Sequence, residues 1–220
     1  MKSLIVYYSL EGNTKLIADN LAKITDADLL PLKVVNDLPK NSPMRYVNGG
    51  RDVLMKHAPA LKTEIPDLSS YDFIVIGSPV WAGSFAPAIR SFAKKANLMG
   101  KKIAFFTCST SGKNQKCIGD LKDLFFGNTF VGDIGFVDPA KNHTTNAILR
   151  ANAWVNTLRQ TVFKSSREEI MESLKQREKT AYLEEILPVK VKPIRFRVKE
   201  HEESRNSGIS SKLGILKALR

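Results

Sequence analysis

The chain has 220 residues, 43% of them hydrophobic and 25% charged, enough for one ordinary domain plus an appendage and incompatible with wholesale disorder. No apolar run approaches the roughly 20 residues that a membrane-spanning helix requires. Two cysteines, Cys108 and Cys117, are too few for a disulfide framework and stand at no common zinc spacing, so free thiols in a reducing compartment are expected. The net charge of +12, from 34 basic and 22 acidic side chains, favours anionic partners. The basic positions are scattered and no nucleic-acid motif accompanies them, which argues against nucleic acid.

In chain order, Met1-Lys2-Ser3 and the block Leu4 to Tyr8 lack the features of a signal peptide. They read as a first strand, Lys2 to Tyr8, and the expected location is the cytoplasm. A helix follows at Asn13 to Ile24, then a strand at Ala27 to Val34. The connection from Asn36 to Asp72 is rich in proline and glycine and longer than a crossover loop needs. A short helix is predicted in it around Arg51 to His57, and it is placed to cover part of a ligand site. Beyond it come a strand at Phe73 to Gly77, a helix at Pro87 to Ala96, a strand at Lys102 to Thr107, a helix at Lys116 to Phe126, a weaker strand at Phe130 to Val137 and a helix at Thr145 to Phe163. Compact apolar runs alternating with amphipathic stretches mark a parallel sheet covered on both faces.

The first domain is expected to span residues 1–163. Residues 164–220 form a basic extension: a charged helix from Ser165 to Leu187, capped by Ser165 or Ser166 and stopped by Pro188, then a strand-like stretch from Ile194 to Lys199, then an amphipathic helix from Ser211 to Arg220. Elements too few to build a core are expected to pack on the main domain or on a second copy. Docking on a membrane surface or another anionic partner is the competing reading.

Open parallel sheets bind ligands at the carboxyl ends of their strands, and three segments fall there. Ser9-Leu10-Glu11-Gly12-Asn13-Thr14 leads from the first strand into a helix, so amides and hydroxyls can converge on an anion at the helix N-terminus. Pro79-Val80-Trp81-Ala82-Gly83 follows the third strand, and Cys108-Ser109-Thr110-Ser111-Gly112 the fourth. The first segment resembles the phosphate loop of the flavodoxin family, usually written Ser/Thr-x-Thr-Gly-Asn-Thr. Glu11 departs from that pattern by placing a carboxylate where many members carry a hydroxyl.

The resemblance implies an α/β fold with a doubly wound five-stranded parallel sheet of order 2-1-3-4-5, and FMN as the cofactor. It implies that Ser9 to Thr14 hold the phosphate, that Trp81 with Pro79 to Gly83 shapes the ring pocket, and that Cys108 to Gly112 meets the pyrimidine end. On the residues alone, Trp81 as a core-edge plug and the third segment as a plain surface loop stay open. His57, His143 and His201 are scattered, so no metal site is expected, and neither a Gly-x-Ser-x-Gly elbow nor a Gly-x-Gly-x-x-Gly fingerprint is present. The leading functional expectation is an electron carrier between partner proteins, acidic ones given the charge, with the chemistry on the flavin and no catalytic side chain. Two alternatives remain: an FMN-dependent NAD(P)H oxidoreductase acting on a quinone or similar small acceptor, and a binding module that has lost its flavin.

Overall fold

In the computed structural model, which describes residues 2–39 and 44–186, a parallel sheet is built from β1 (Ser3–Tyr7), β2 (Asp28–Pro31), β3 (Phe73–Trp81), β5 (Lys102–Ser109) and β6 (Thr129–Val137). Their order is β2-β1-β3-β5-β6, and a short strand β4 (Ser84–Phe85) pairs antiparallel with the end of β3. The expected five-strand order is therefore present, with β4 as an addition. The helices are α1 (Asn13–Thr25), α2 (Met44–Leu54), α3 (Pro87–Ala96), α4 (Gln115–Leu124) and α5 (Thr144–Ile186).

Period-two alternation sends each strand's side chains to two cores. On one face Leu4, Val6, Ile74, Ile76, Ile103 and Phe105 pack with Ile89 and Phe92 of α3 and Ile118 and Leu121 of α4. On the other, Ile5, Phe73, Val75, Ala104 and Phe106 pack with Ile17, Ala18 and Leu21 of α1 and Ala151, Val155 and Leu158 of α5. The apolar runs of β3 and β5 reflect this double cover.

Gly77 is required by close packing: a Cβ there would lie 2.1 Å from Phe106 Cζ. The two residues are register partners across β3 and β5. The ring therefore fills the space over the glycine.

Several boundaries differ from expectation. The second strand was expected to run to Val34, but the ladder with β1 ends at Pro31. Beyond it the Lys33 amide bonds Thr63 Oγ1 (2.8 Å), and Val34 bridges antiparallel to Leu61. The helix in the long connection is Met44–Leu54 and not Arg51 to His57. The helix end expected at Phe163 and the new start at Ser165 are also absent: α5 is continuous from Thr144 to Ile186. No proline or glycine interrupts it, so beyond Val162, the last of its described side chains that is buried, nothing in the backbone stops the helix. Residues Met1–Leu174 form one compact unit and Lys175–Arg220 a second, of which residues 175–186 are described, as helix. The strand expected at Ile194 to Lys199 and the helix at Ser211 to Arg220 lie outside the described residues. Among the described residues no helix is long and apolar enough to cross a membrane.

Candidate functional site

At the carboxyl ends of the strands the chain encloses a cleft of about 330 Å³. Its first wall is the β1–α1 turn. Gly12 adopts φ 96°, a conformation costly for any other residue, and its N–H donates to Ser9 Oγ (3.2 Å). Gly12 also begins α1 without a side-chain cap, and the first turn holds no acidic residue. The first-turn amides thus lack side-chain acceptors, which suits an anion.

Thr14 is buried, and its Oγ1 has no hydrogen-bond partner by distance and angle. The Cys108 thiol lies beside it, and the Thr14 side chain draws that thiol's pKa down, by less than burial raises it. Asn13 is committed elsewhere: its Nδ2 donates to Asp138 Oδ1 (3.3 Å) and its Oδ1 accepts from the Ala140 N–H (2.8 Å). It ties the phosphate-loop segment to the turn after β6.

The second wall is the hairpin of β3 and β4. Trp81 pairs with Ser84, and the two residues between them, Ala82 and Gly83, have φ 46° and 76°, as a type I′ turn requires. Ser78 fixes the hairpin's base, accepting from the Ala86 N–H (3.0 Å) and donating to the Pro79 carbonyl (2.8 Å). The Trp81 ring is half-buried and meets Tyr8 edge-on at 5.5 Å and 89°, a favoured aromatic geometry. The Tyr8 hydroxyl donates to Asp37 Oδ1 (2.6 Å); burial, then that hydrogen bond and the carboxylate's charge, push the phenol's pKa up. From α2, Gly49 comes so close that a Cβ would sit 3.2 Å from both Trp81 Cε3 and Leu38 Cδ1.

The third wall is the turn after β5, where the Gly112 N–H donates to Ser109 Oγ (2.9 Å) and the Ser109 carbonyl accepts from the Asp138 N–H (3.0 Å). Burial pushes the Cys108 thiol up to about 12, with the Asp138 charge adding to it. Cys117 is likewise held near 12, by burial first. Both are neutral thiols at ordinary pH and poor nucleophiles.

The structure thus brings the three segments together. Ser9, Leu10, Glu11, Asn13, Thr14, Pro79, Val80, Trp81, Ala82, Cys108, Ser109 and Thr110 line the cleft, whereas Gly12, Gly83, Ser111 and Gly112 shape its turns. Four further residues line the cleft: Gly49 and Gly50 of α2, in the connection expected to cover part of a ligand site, and Arg45 and Asp138, which no sequence motif marks. Asp138 follows the last strand, where the carboxyl-end rule points. Arg45 carries no sequence signal, because only the fold brings it beside Glu11, with Nη2 2.7 Å from Oε1.

A doubly wound parallel sheet with an anion-receiving helix N-terminus and an aromatic-walled cleft at its strand ends defines a flavodoxin-type α/β protein. The flavodoxin family model matches residues 2–156, and the chain belongs to that family. Among solved structures, a flavoprotein in complex with FMN from Lactobacillus acidophilus NCFM is 25% identical, with TM-score 0.56, covering 65% of this chain and 97% of that one. A Bacteroides eggerthii DSM 20697 protein described as a flavoprotein shares the fold at 22% identity and TM-score 0.58, covering 72% and 98%. The NAD(P)H dehydrogenase (quinone) of Caulobacter vibrioides is 28% identical over 142 residues, 60% of this chain and 70% of the relative.

Proposed function

We propose that this chain is an FMN-binding redox protein that carries electrons between protein partners. The observation that carries the reading is the buried, unpartnered Thr14 hydroxyl at the foot of an uncapped helix, inside a cleft walled by Trp81. A buried hydroxyl left unpaired costs about 1–3 kcal/mol, and a phosphate oxygen arriving at the helix terminus would satisfy it. The residues fit FMN. The loop Ser9 to Thr14 would hold the phosphate, Pro79 to Gly83 with Trp81 would shape the ring pocket, and Cys108 to Gly112 would offer backbone groups to the ring's polar edge.

Bound flavin supplies reversible one- or two-electron transfer. The chain's own part is to orient the ring, to limit water at it and to hold the phosphate. Asn13 serves by fixing the turn at Asp138 and not by spending its amide on the ligand. Residues 1–163 would carry this activity, with 164–220 as an extension. The charge of +12 favours acidic partners, and the buried free thiols suit the cytoplasm.

A second reading is an FMN-dependent NAD(P)H oxidoreductase acting on a small acceptor, favoured by the likeness to the Caulobacter protein of that name. The visible spectrum, followed by anaerobic addition of NADH or NADPH with no other protein present, decides. Flavin bands that persist until a chemical or protein reductant is added are expected for the carrier. Prompt bleaching establishes the oxidoreductase, and a protein that neither carries nor takes up FMN refutes both.

A further inference from the structure

Glu11 presents a difficulty that the fold resolves. It stands inside the phosphate-loop segment, and it lines the cleft together with Asp138. Two carboxylates near an incoming phosphate dianion oppose binding, and they do so more strongly where water is partly excluded. Arg45 is the only cationic side chain among the described residues lining the cleft. Its Nη2 lies 2.7 Å from Glu11 Oε1, with the two side chains only 20% and 30% exposed. An ion pair this short and this sheltered is screened less by salt than a surface pair.

Arg45 reaches the loop because α2 lies against the cleft. Gly49 and Gly50 face it from the same helix, and the missing side chain at Gly49 lets the backbone approach Trp81 and Leu38. Leu38 in turn follows Asp37, which both holds the Tyr8 hydroxyl and accepts from the Leu38 N–H (2.8 Å).

We propose that Arg45 is a cofactor-selecting residue: by neutralising Glu11 it allows this loop to accept a flavin bearing a phosphate dianion, so that the pair, and not the loop alone, sets the preference for FMN over riboflavin. The proposal rests on the FMN reading and deepens it. Affinity for the phosphorylated flavin should follow the net charge of the pair, which is zero in the native protein, negative in Arg45→Gln, positive in Glu11→Gln and zero again when both are replaced. Riboflavin, which lacks the phosphate, should barely respond.

The test titrates FMN and riboflavin, by quenching of flavin fluorescence, into the full chain and these three variants at low and at moderate salt. Arg45→Gln is expected to raise the Kd for FMN about tenfold or more, a change typical of losing a sheltered charge partner, while riboflavin shifts by less than about threefold. Glu11→Gln should tighten FMN, and the double variant should return close to the native value. Added salt should narrow the spread of FMN affinities among the four proteins.

If Arg45→Gln weakens both flavins in parallel, the arginine acts through packing and the proposal falls. It also falls if the double variant stays as weak as Arg45→Gln. Native protein that binds neither flavin overturns the FMN reading itself, an outcome distinct from native binding with unresponsive variants.

Discussion

Gly77→Ala tests the packing that delivers β3 to the cleft. The added methyl would sit 2.1, 2.5 and 2.7 Å from three carbons of the Phe106 ring, whereas ordinary contact begins near 3.4 Å, so the ring must retreat by about 1.3 Å. It has little room to do so, because Phe106 is fully buried between the sheet and the layer of α1 and α5. Gly77 is also fixed by the ladders, pairing with Tyr7 on one side and Phe106 on the other, while its carbonyl accepts from the Tyr8 N–H (3.1 Å). Overpacking of this kind costs about 1–3 kcal/mol, and the reduced entropy of the unfolded chain returns about 0.4–1. A net loss of about 1.3 kcal/mol should lower Tm by about 3–5 °C for a chain of this size. The assay is urea and thermal unfolding of Gly77→Ala, Phe106→Leu and the double variant. A smaller side chain at 106 makes room for the methyl, so the double variant should be more stable than the two single effects predict, by at least about 0.5 kcal/mol. Additivity within about 0.3 kcal/mol, or native stability in Gly77→Ala, would refute the steric reading.

Thr14→Val should separate binding from stability. Removing a buried, unpartnered hydroxyl at nearly constant shape is expected to raise apoprotein stability by about 1 kcal/mol, while FMN binds about tenfold weaker or worse; a loss of both in differential scanning calorimetry and flavin titration would contradict the assignment. The thiols predict an alkaline instability. Cys108 and Cys117 are held near 12 in the fold by burial and titrate near 8.5 when unfolded. Above about pH 8.5 only the unfolded chain releases these protons, so the stabilisation is complete below that pH and is lost as pH rises toward 12, at up to about 1.4 kcal/mol per pH unit for each thiol. Urea midpoints of the Cys108→Ala/Cys117→Ala variant should fall less steeply than native ones between pH 8.5 and 11, and an unchanged slope would refute the burial argument.

The central strands could be read from sequence because each is covered on both faces, so β1, β3 and β5 appear as nearly continuous apolar runs. Edge and site elements left weaker marks. Pro31 and the later pairing of Val34 with Leu61 shorten β2 although its apolar pattern continues. The β3–β4 hairpin turns on Ala82-Gly83, and alanine at the first left-handed position conceals a turn that asparagine would have announced. Helix α2 was displaced by several residues because its contact with Trp81 is made by Gly49, while Met44, Val47 and Leu54 are exposed. Apolar periodicity, the usual signal for a helix, points away from the side that matters. In α5 the change at Val162 is a change of surroundings and not of backbone, so Ser165 and Ser166 imitated a cap.

The same distinction separates the readable part of the site from the rest. A motif records which residue types a turn needs, and Ser9, Gly12 and Thr14 occupy those places for reasons local to the turn. Charge balance across the cleft is not local. Glu11 and Asp138 bring negative charge, and the compensation comes from the amides that begin α1 and from Arg45, 34 positions away from Glu11 along the chain. Helix termini offer partial charge only, about half a unit that fades within a turn. A full carboxylate inside the loop therefore needs a full cation beside it. The long connection between β2 and β3 supplies that cation, and the same helix places Gly49 against Trp81. On this account the connection is half of the site: it sets the charge at one end of the cleft and the aromatic wall at the other.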